Sequence, residues 1–271
     1  MKYDIGHQKI NFQYSELEHK YHKQVHILNH PVLVSYLNDL AYFKTEQPLI
    51  SELTKKIYTN LASQILSYHL KRKVVEQDTR MKKMHAEGRF VGEVIDRNQK
   101  AVVVAMARAG TQPSEVFYQE LNYLLSPHLV RQDHIYISRV TNEQNQVMGA
   151  SFSGSKIGGD VDGSLVFIPD PMGATGSSMH EVLTHYKQKV GGQAVKFIAI
   201  HLIITPEYVR KMSELHPDLE IYTVRLDRGF STEKALKSMP GTHPKEEQGL
   251  NSNHYIVPGA GGVGEILNNS Y

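Results

Sequence analysis

Asp170 stands after the apolar run Leu165–Val166–Phe167–Ile168 and opens the segment Asp170–Pro171–Met172–Gly173–Ala174–Thr175–Gly176–Ser177–Ser178. The apolar run reads as a buried strand, and the small residues after it as a turn into a helix. A turn built from Gly, Ala, Thr and Ser leaves room for a ligand beside its backbone. Its N–H groups can converge on an anion at the helix N-terminus, where the helix dipole adds positive potential. The acid falls at the C-terminal end of a strand, where open α/β sheets take their ligands. A carboxylate beside such a cradle matches a sugar phosphate, with the acid on the ribose hydroxyls and the amides on the phosphate.

Three other segments carry chemistry of the same kind. Arg108–Ala109–Gly110 follows the apolar run Ala101–Val102–Val103–Val104–Ala105–Met106. A guanidinium at a strand end binds phosphate oxygens bidentately and suits a diphosphate. Arg139 follows the short strand His134–Ile135–Tyr136–Ile137–Ser138 and precedes residues 142–163, rich in Asn, Gln, Gly and Ser, which read as a flap. The run His254–Tyr255–Ile256–Val257–Pro258–Gly259–Ala260–Gly261–Gly262–Val263–Gly264–Glu265 holds a Gly-x-Gly pattern far from any opening strand-to-helix turn, so it is not a dinucleotide fingerprint. Its glycines allow close approach, and backbone groups can read the edge of a planar base without a charged side chain.

The form Asp-Pro-Met-x-Ala-Thr-Gly-x-Ser resembles the phosphoribosyl-pyrophosphate (PRPP) loop of phosphoribosyltransferases, in the uracil phosphoribosyltransferase branch. Arg108–Ala109–Gly110 is similar to that family's pyrophosphate loop, and Tyr255–Ile256–Val257–Pro258–Gly259 to its uracil-binding segment. The resemblance implies transfer of phosphoribose from PRPP to uracil, giving UMP and diphosphate, with Asp170 and Arg108 catalytic. By the same resemblance, PRPP is held by Arg108, Ala109, Gly110, Arg139, Asp170, Met172, Gly173, Ala174, Thr175, Gly176, Ser177 and Ser178. Uracil is held by the backbones of Ile256 and Gly261, beside Tyr255, Gly262 and Val263. The resemblance further implies Mg²⁺ held mainly by PRPP and water, a homodimer or higher homo-oligomer, and GTP as an effector in some members.

The chain also departs from the family pattern. Gly262 and Glu265 stand where the family has two Asp residues, and either Glu265 or Asp227 could supply the missing charge. Asp227–Arg228–Gly229 matches an Asp-x-Gly element, but an insertion near 230–253 separates it from the base segment. Ala41–Tyr42–Phe43–Lys44 replaces a segment that usually carries Arg. These departures leave two alternatives: a catalytically weakened paralogue that binds PRPP or UMP as a sensor, or a transferase for another base.

The elements that must position these residues alternate. Helices are expected from Pro31 and over Leu49–Leu70, the latter with Leu49, Leu53, Ile57, Leu61 and Ile65 inward and Ser51 as N-cap. Lys71–Lys100 has no clear period. After the central strand come a helix through Lys189, a strand over Val195–Ile204, a helix over Pro206–Leu215 and a strand from Glu220. The predicted fold is α/β: a mostly parallel sheet flanked by helices, with N-terminal helices and a C-terminal hood over the base. Residues 1–28 read as a polar extension and 29–271 as one domain. His19, His22, His26 and His30 recur at three- and four-residue steps; on a helix they would share a face, metal-binding or, as the absence of an acid-flanked motif favours, solvated or subunit-contacting.

Composition narrows the rest. With 30 Lys and Arg against 28 Asp and Glu, the formal charge of +2 makes no broad electrostatic case for nucleic acid, as an RNA-binding regulator would need. The absence of cysteine excludes disulfides, thiolate catalysis and cysteine metal sites. No apolar stretch is long enough to span a bilayer and no signal-peptide core opens the chain, so a cytoplasmic location is expected.

Overall fold

A computed structural model describes residues 5–141 and 147–270. Among the described residues, ten strands and seven helices follow in chain order, along with three short 3-10 turns: β1 (Val25–Ile27), α1 (Pro31–Ala41), α2 (Leu49–His69), β2 (Arg72–Asp78), β3 (Arg89–Ile95), β4 (Lys100–Ala107), α3 (Thr111–Leu124), β5 (Val130–Thr141), β6 (Val147–Lys156), β7 (Ser164–Pro169), β8 (Met172–Gly173), α4 (Ser177–Lys189), β9 (Lys196–Ile204), α5 (Pro206–Leu215), β10 (Glu220–Leu226), α6 (Glu233–Leu236) and α7 (Val263–Leu267). The main sheet runs in the order β1-β10-β9-β7-β4-β5-β6, with β8 added to β9. Every pairing in it is parallel except β5 with β6.

Burial on both faces explains the continuous apolar strands. In β4, Ala101 and Val103 join the core under α1, α2 and α3, while Val102, Val104 and Met106 join the core under α4 and α5. In β7, Leu165 and Phe167 face the first core, Val166 and Ile168 the second. The period of two thus divides the side chains of each strand between two layers.

Pro31 opens α1, and the side chain of His30 accepts a hydrogen bond from the Leu33 amide. In α2 the expected inward row holds for Leu53, Ile57, Leu61 and Ile65, but Leu49 is exposed and Ile50 takes the buried place. Ser51 is not the cap: the helix starts at Leu49, and Pro48 in the cap position offers no side-chain bond. The charged stretch after α2 forms the antiparallel hairpin β2–β3. Its faces are largely solvated, which is why no apolar period marked it.

Within the expected extension 1–28, Val25 and Ile27 are buried in β1, the edge strand beside β10. The histidine series is not a helix face. His26 lies in β1, stacked on Tyr222 and hydrogen-bonded through Nε2 to Glu220 at 2.7 Å. Among the described residues, no group of three or more His, Asp or Glu side chains is placed to hold a metal ion. No described helix is long and apolar enough to cross a membrane.

Candidate active site

The C-terminal ends of β4 and β7, with the C-terminal segment, enclose a cleft of about 620 Å³. It is lined by Arg108 and Ala109 after β4, by Asp170, Met172 and Ala174–Met179 after β7, and by Asn253–Ile256 and Gly261–Glu265. Three segments far apart in sequence therefore meet at the carboxyl edge of one sheet, the place where parallel α/β sheets bind ligands.

Asp170 is held from behind by its own backbone. Its N–H donates to the Ile200 carbonyl at 2.9 Å, and its carbonyl accepts from His201 Nδ1 at 2.5 Å. A carbonyl only accepts, so His201 carries its proton on Nδ1 and accepts at Nε2 from the Tyr208 hydroxyl at 2.7 Å. Burial lowers the His201 pKa to about 4, keeping the ring neutral. Burial also raises the Tyr58 and Tyr208 hydroxyls well above their ordinary value, with the negative charge of Asp170 adding to both.

The small-residue turn ends at Gly176, whose φ of 76° lies in the left-handed region that a side chain disfavours. That turn starts α4 directly after it, so the amides of its first turn face the cleft end of the helix. Thr175 and Ser177 share a hydroxyl–hydroxyl bond of 3.2 Å, and the Ser177 amide donates to Thr175 Oγ1 at 3.3 Å. The turn thus presents backbone amides and the hydroxyls of Thr175, Ser177 and Ser178 to the cleft.

Across the cleft, Arg108 follows a cis Ala107–Arg108 peptide bond and is exposed. Its Nη1 donates to Ser270 Oγ at 2.7 Å, and the Ser270 amide donates to the Glu265 carbonyl at 3.0 Å. Arg139 lies within β5, and its side chain is outside the described part of the structure. Of the expected flap, 142–146 lie outside the described residues, whereas 147–156 form β6 against β5.

The base segment is clamped from behind. Arg225 grips Asp227 with two bonds, Nε to Oδ1 at 2.6 Å and Nη2 to Oδ2 at 2.8 Å. Asp227 Oδ2 accepts from the Gly259 amide at 2.7 Å, and Arg225 Nη2 also reaches the Gly259 carbonyl at 2.9 Å. Asp227 is 2% exposed and does not line the cleft. Glu265 does line it: a Cβ built on Gly262 would lie 2.5 Å from Glu265 Oε2. The acid three residues on fills the space left by the glycine.

The expected insertion is pinned rather than loose. The buried Glu247 carboxylate accepts from Arg228 Nη1 at 3.2 Å, from the Gly241 amide at 2.8 Å and from the Tyr21 hydroxyl. Arg210 donates to the carbonyls of Pro244 and Glu247. The far end of this segment, Asn253 and His254, forms part of the cleft wall.

The family model described as uracil phosphoribosyltransferase matches residues 11–242. The chain belongs to the uracil phosphoribosyltransferase family. It is 28% identical over 244 residues to a uracil phosphoribosyltransferase of Staphylococcus epidermidis, covering 90% of this chain and 97% of that one. The corresponding enzyme of Staphylococcus aureus is 27% identical over the same length. A solved structure from Aquifex aeolicus shares the fold, with a TM-score of 0.66 at 21% identity, over 90% of this chain and 97% of that one. The family match ends before the segment His254–Glu265, which holds the departures at Gly262 and Glu265.

Sequence reasoning brought Arg108, Asp170, the small-residue turn and the base segment to one cleft. It missed His201, Tyr208 and Thr205, which hold the loops from beneath. It also missed Asn253, and took His254 only as the start of the base segment. Buried polar residues inside apolar strands, such as His201 in Ile200–His201–Leu202, were the available signal.

Proposed function

We propose that this phosphoribosyltransferase transfers the phosphoribosyl group of PRPP to N1 of uracil, giving UMP and diphosphate. The observation that carries the reading is the convergence of Arg108, Asp170, the 172–178 turn and the Tyr255–Val263 segment on one cleft. The 5′-phosphate sits on the turn, and the Asp170 carboxylate takes the ribose hydroxyls. Arg108 receives the diphosphate, releasing Ser270. The C1′–oxygen bond breaks with its electron pair on the diphosphate, while uracil N1 supplies the pair for the new bond and passes its proton to the departing diphosphate or to water. Positioning and electrostatic stabilisation do the work, without a covalent nucleophile.

The cleft presents two carboxylates, Asp170 and Glu265, and no three-ligand cluster among the described residues. That donor set fits Mg²⁺ carried mainly by substrate oxygens and water, which is how this ion prefers to bind. Asp170 and Glu265 would hold its hydration shell, and the ion would offset charge on the departing diphosphate. Of the two acids available to replace the one missing at 262, Glu265 is in place and Asp227 is engaged elsewhere. This geometry favours a working enzyme over a weakened sensor.

The carbonyls and amides around Ile256 and Gly261 suit the acceptor and donor edge of uracil. The test is product formation: UMP and diphosphate in equal amounts from uracil and PRPP. Absence of UMP while PRPP is bound would return the sensor reading.

A further inference from the structure

Helix α5 forms the wall behind the phosphate turn. Thr205, its N-cap, donates to the Ala174 carbonyl at 2.7 Å. A Cβ added at Gly173 would press on Tyr208 at 3.2 Å, and one added at Gly176 would run into Met212 at 2.9 Å. Thr205, Tyr208 and Met212 lie on one face of α5 at helical spacing, and Lys211 borders that face.

Lys211 is the charged end of this wall. Its Nζ donates to Ser177 Oγ at 3.0 Å, and its Cδ lies 3.5 Å from a Cβ built at Gly176. Among the described residues, no carboxylate lies within ion-pair distance of it. Glu207, one turn earlier, instead accepts from the amides of Gly249 and Leu250. An ammonium has three donors, so the bond to Ser177 leaves two for another acceptor at the same place.

We propose that Lys211 is a phosphate-binding residue: it brings a positive charge from α5 to the otherwise neutral cradle and selects a phosphate monoester dianion there. The inference rests on the reading of the turn as the 5′-phosphate site. It divides the cleft electrostatically, with Lys211 serving the phosphate end and Arg108 the diphosphate end.

The test uses the full chain, with ribose 5-phosphate and inorganic diphosphate titrated separately by calorimetry. Charge-assisted bonds are worth roughly twice neutral ones, so Lys211→Ala should weaken ribose 5-phosphate about tenfold. Lys211→Arg should recover most of that loss, and diphosphate affinity should stay within about twofold of the parent in both variants. Equal ribose 5-phosphate affinity in the parent and Lys211→Ala would overturn the proposal alone. No ribose 5-phosphate binding by the parent would overturn the phosphate site and the proposal together. Lys211-dependent binding without UMP formation would sustain the proposal and reject the uracil reaction. Circular dichroism checks the fold; alanine is the strongest helix former, so the change at Lys211 does not weaken α5.

Discussion

Restoring an aspartate at position 262 should lower activity, although the family pattern has one there. The backbone at Gly262, with φ of −79° and ψ of 74°, is open to any L residue, so the change carries no conformational penalty of the left-handed kind. The obstacle is the Glu265 carboxylate. A Cβ at 262 meets its Oε2 at 2.5 Å, so the carboxylate must retreat by about 1 Å to reach ordinary contact. Two carboxylates about 4 Å apart repel by about 4 kcal/mol at an effective dielectric of about 20. Water in the half-exposed cleft reduces this, but a residual of about 1 kcal/mol is already a fivefold change in rate. Gly262→Asp should therefore lower kcat/KM by about five- to tenfold. Gly262→Ala, which adds only the steric push, should lower it about threefold. Glu265→Ala should be impaired on its own, and Gly262→Asp with Glu265→Ala should recover activity toward the parent. Initial rates of UMP formation at saturating uracil and varied PRPP measure all four, and the double-mutant cycle isolates the coupling. A Gly262→Asp variant several-fold more active than the parent, with Glu265 intact, would refute the substitution of one acid for the other.

Other expectations test other parts of the structure. Asp170→Asn should cut turnover by about a hundredfold or more while the thermal midpoint stays within a few degrees, because its backbone anchors to Ile200 and His201 remain; a normal kcat would remove Asp170 from the ribose. Glu247→Ala leaves Arg228, whose side chain is only 12% exposed, without its carboxylate and should cost about 3 kcal/mol in urea unfolding; a change below about 1 kcal/mol would mean that the 230–253 segment is not pinned through Glu247. His201, held neutral with a pKa near 4 against 6.5 in the unfolded chain, stabilises the fold fully above pH 6.5. That contribution is lost as pH falls from 6.5 toward 4, by up to about 3 kcal/mol, and His201→Gln should flatten the slope in that window. His26, whose pKa is raised through its bonds to Glu220 and Glu16 despite burial, acts with the opposite sign: its contribution is present below pH 6.5 and fades above its folded pKa.

The parallel sheet was legible because its strands are buried on both faces and read as unbroken apolar runs between helices. The Asp170 turn and Arg108 were legible for a related reason: each follows such a run directly, so the strand end locates the candidate residue. The hairpin β2–β3 was not, since its solvated faces carry charges on both sides. The histidine spacing misled, because three- and four-residue steps occur by chance, and His26 instead follows the two-residue period of β1. The choice between Glu265 and Asp227 was unreadable from spacing alone. It depends on a side chain folding back over a glycine three residues earlier in a short terminal helix. Lys211 was hidden for the same kind of reason, as its partner Ser177 lies in another element 34 positions away.

The central claim is phosphoribosyl transfer to uracil. The most direct measurement incubates the purified full chain with PRPP and Mg²⁺ and, in parallel, with uracil, cytosine or hypoxanthine, and quantifies nucleotide and diphosphate. UMP from uracil alone, matched by diphosphate and abolished by chelation, is the expected result. A nucleotide from cytosine or hypoxanthine in preference to uracil, or no nucleotide from any base, would contradict it.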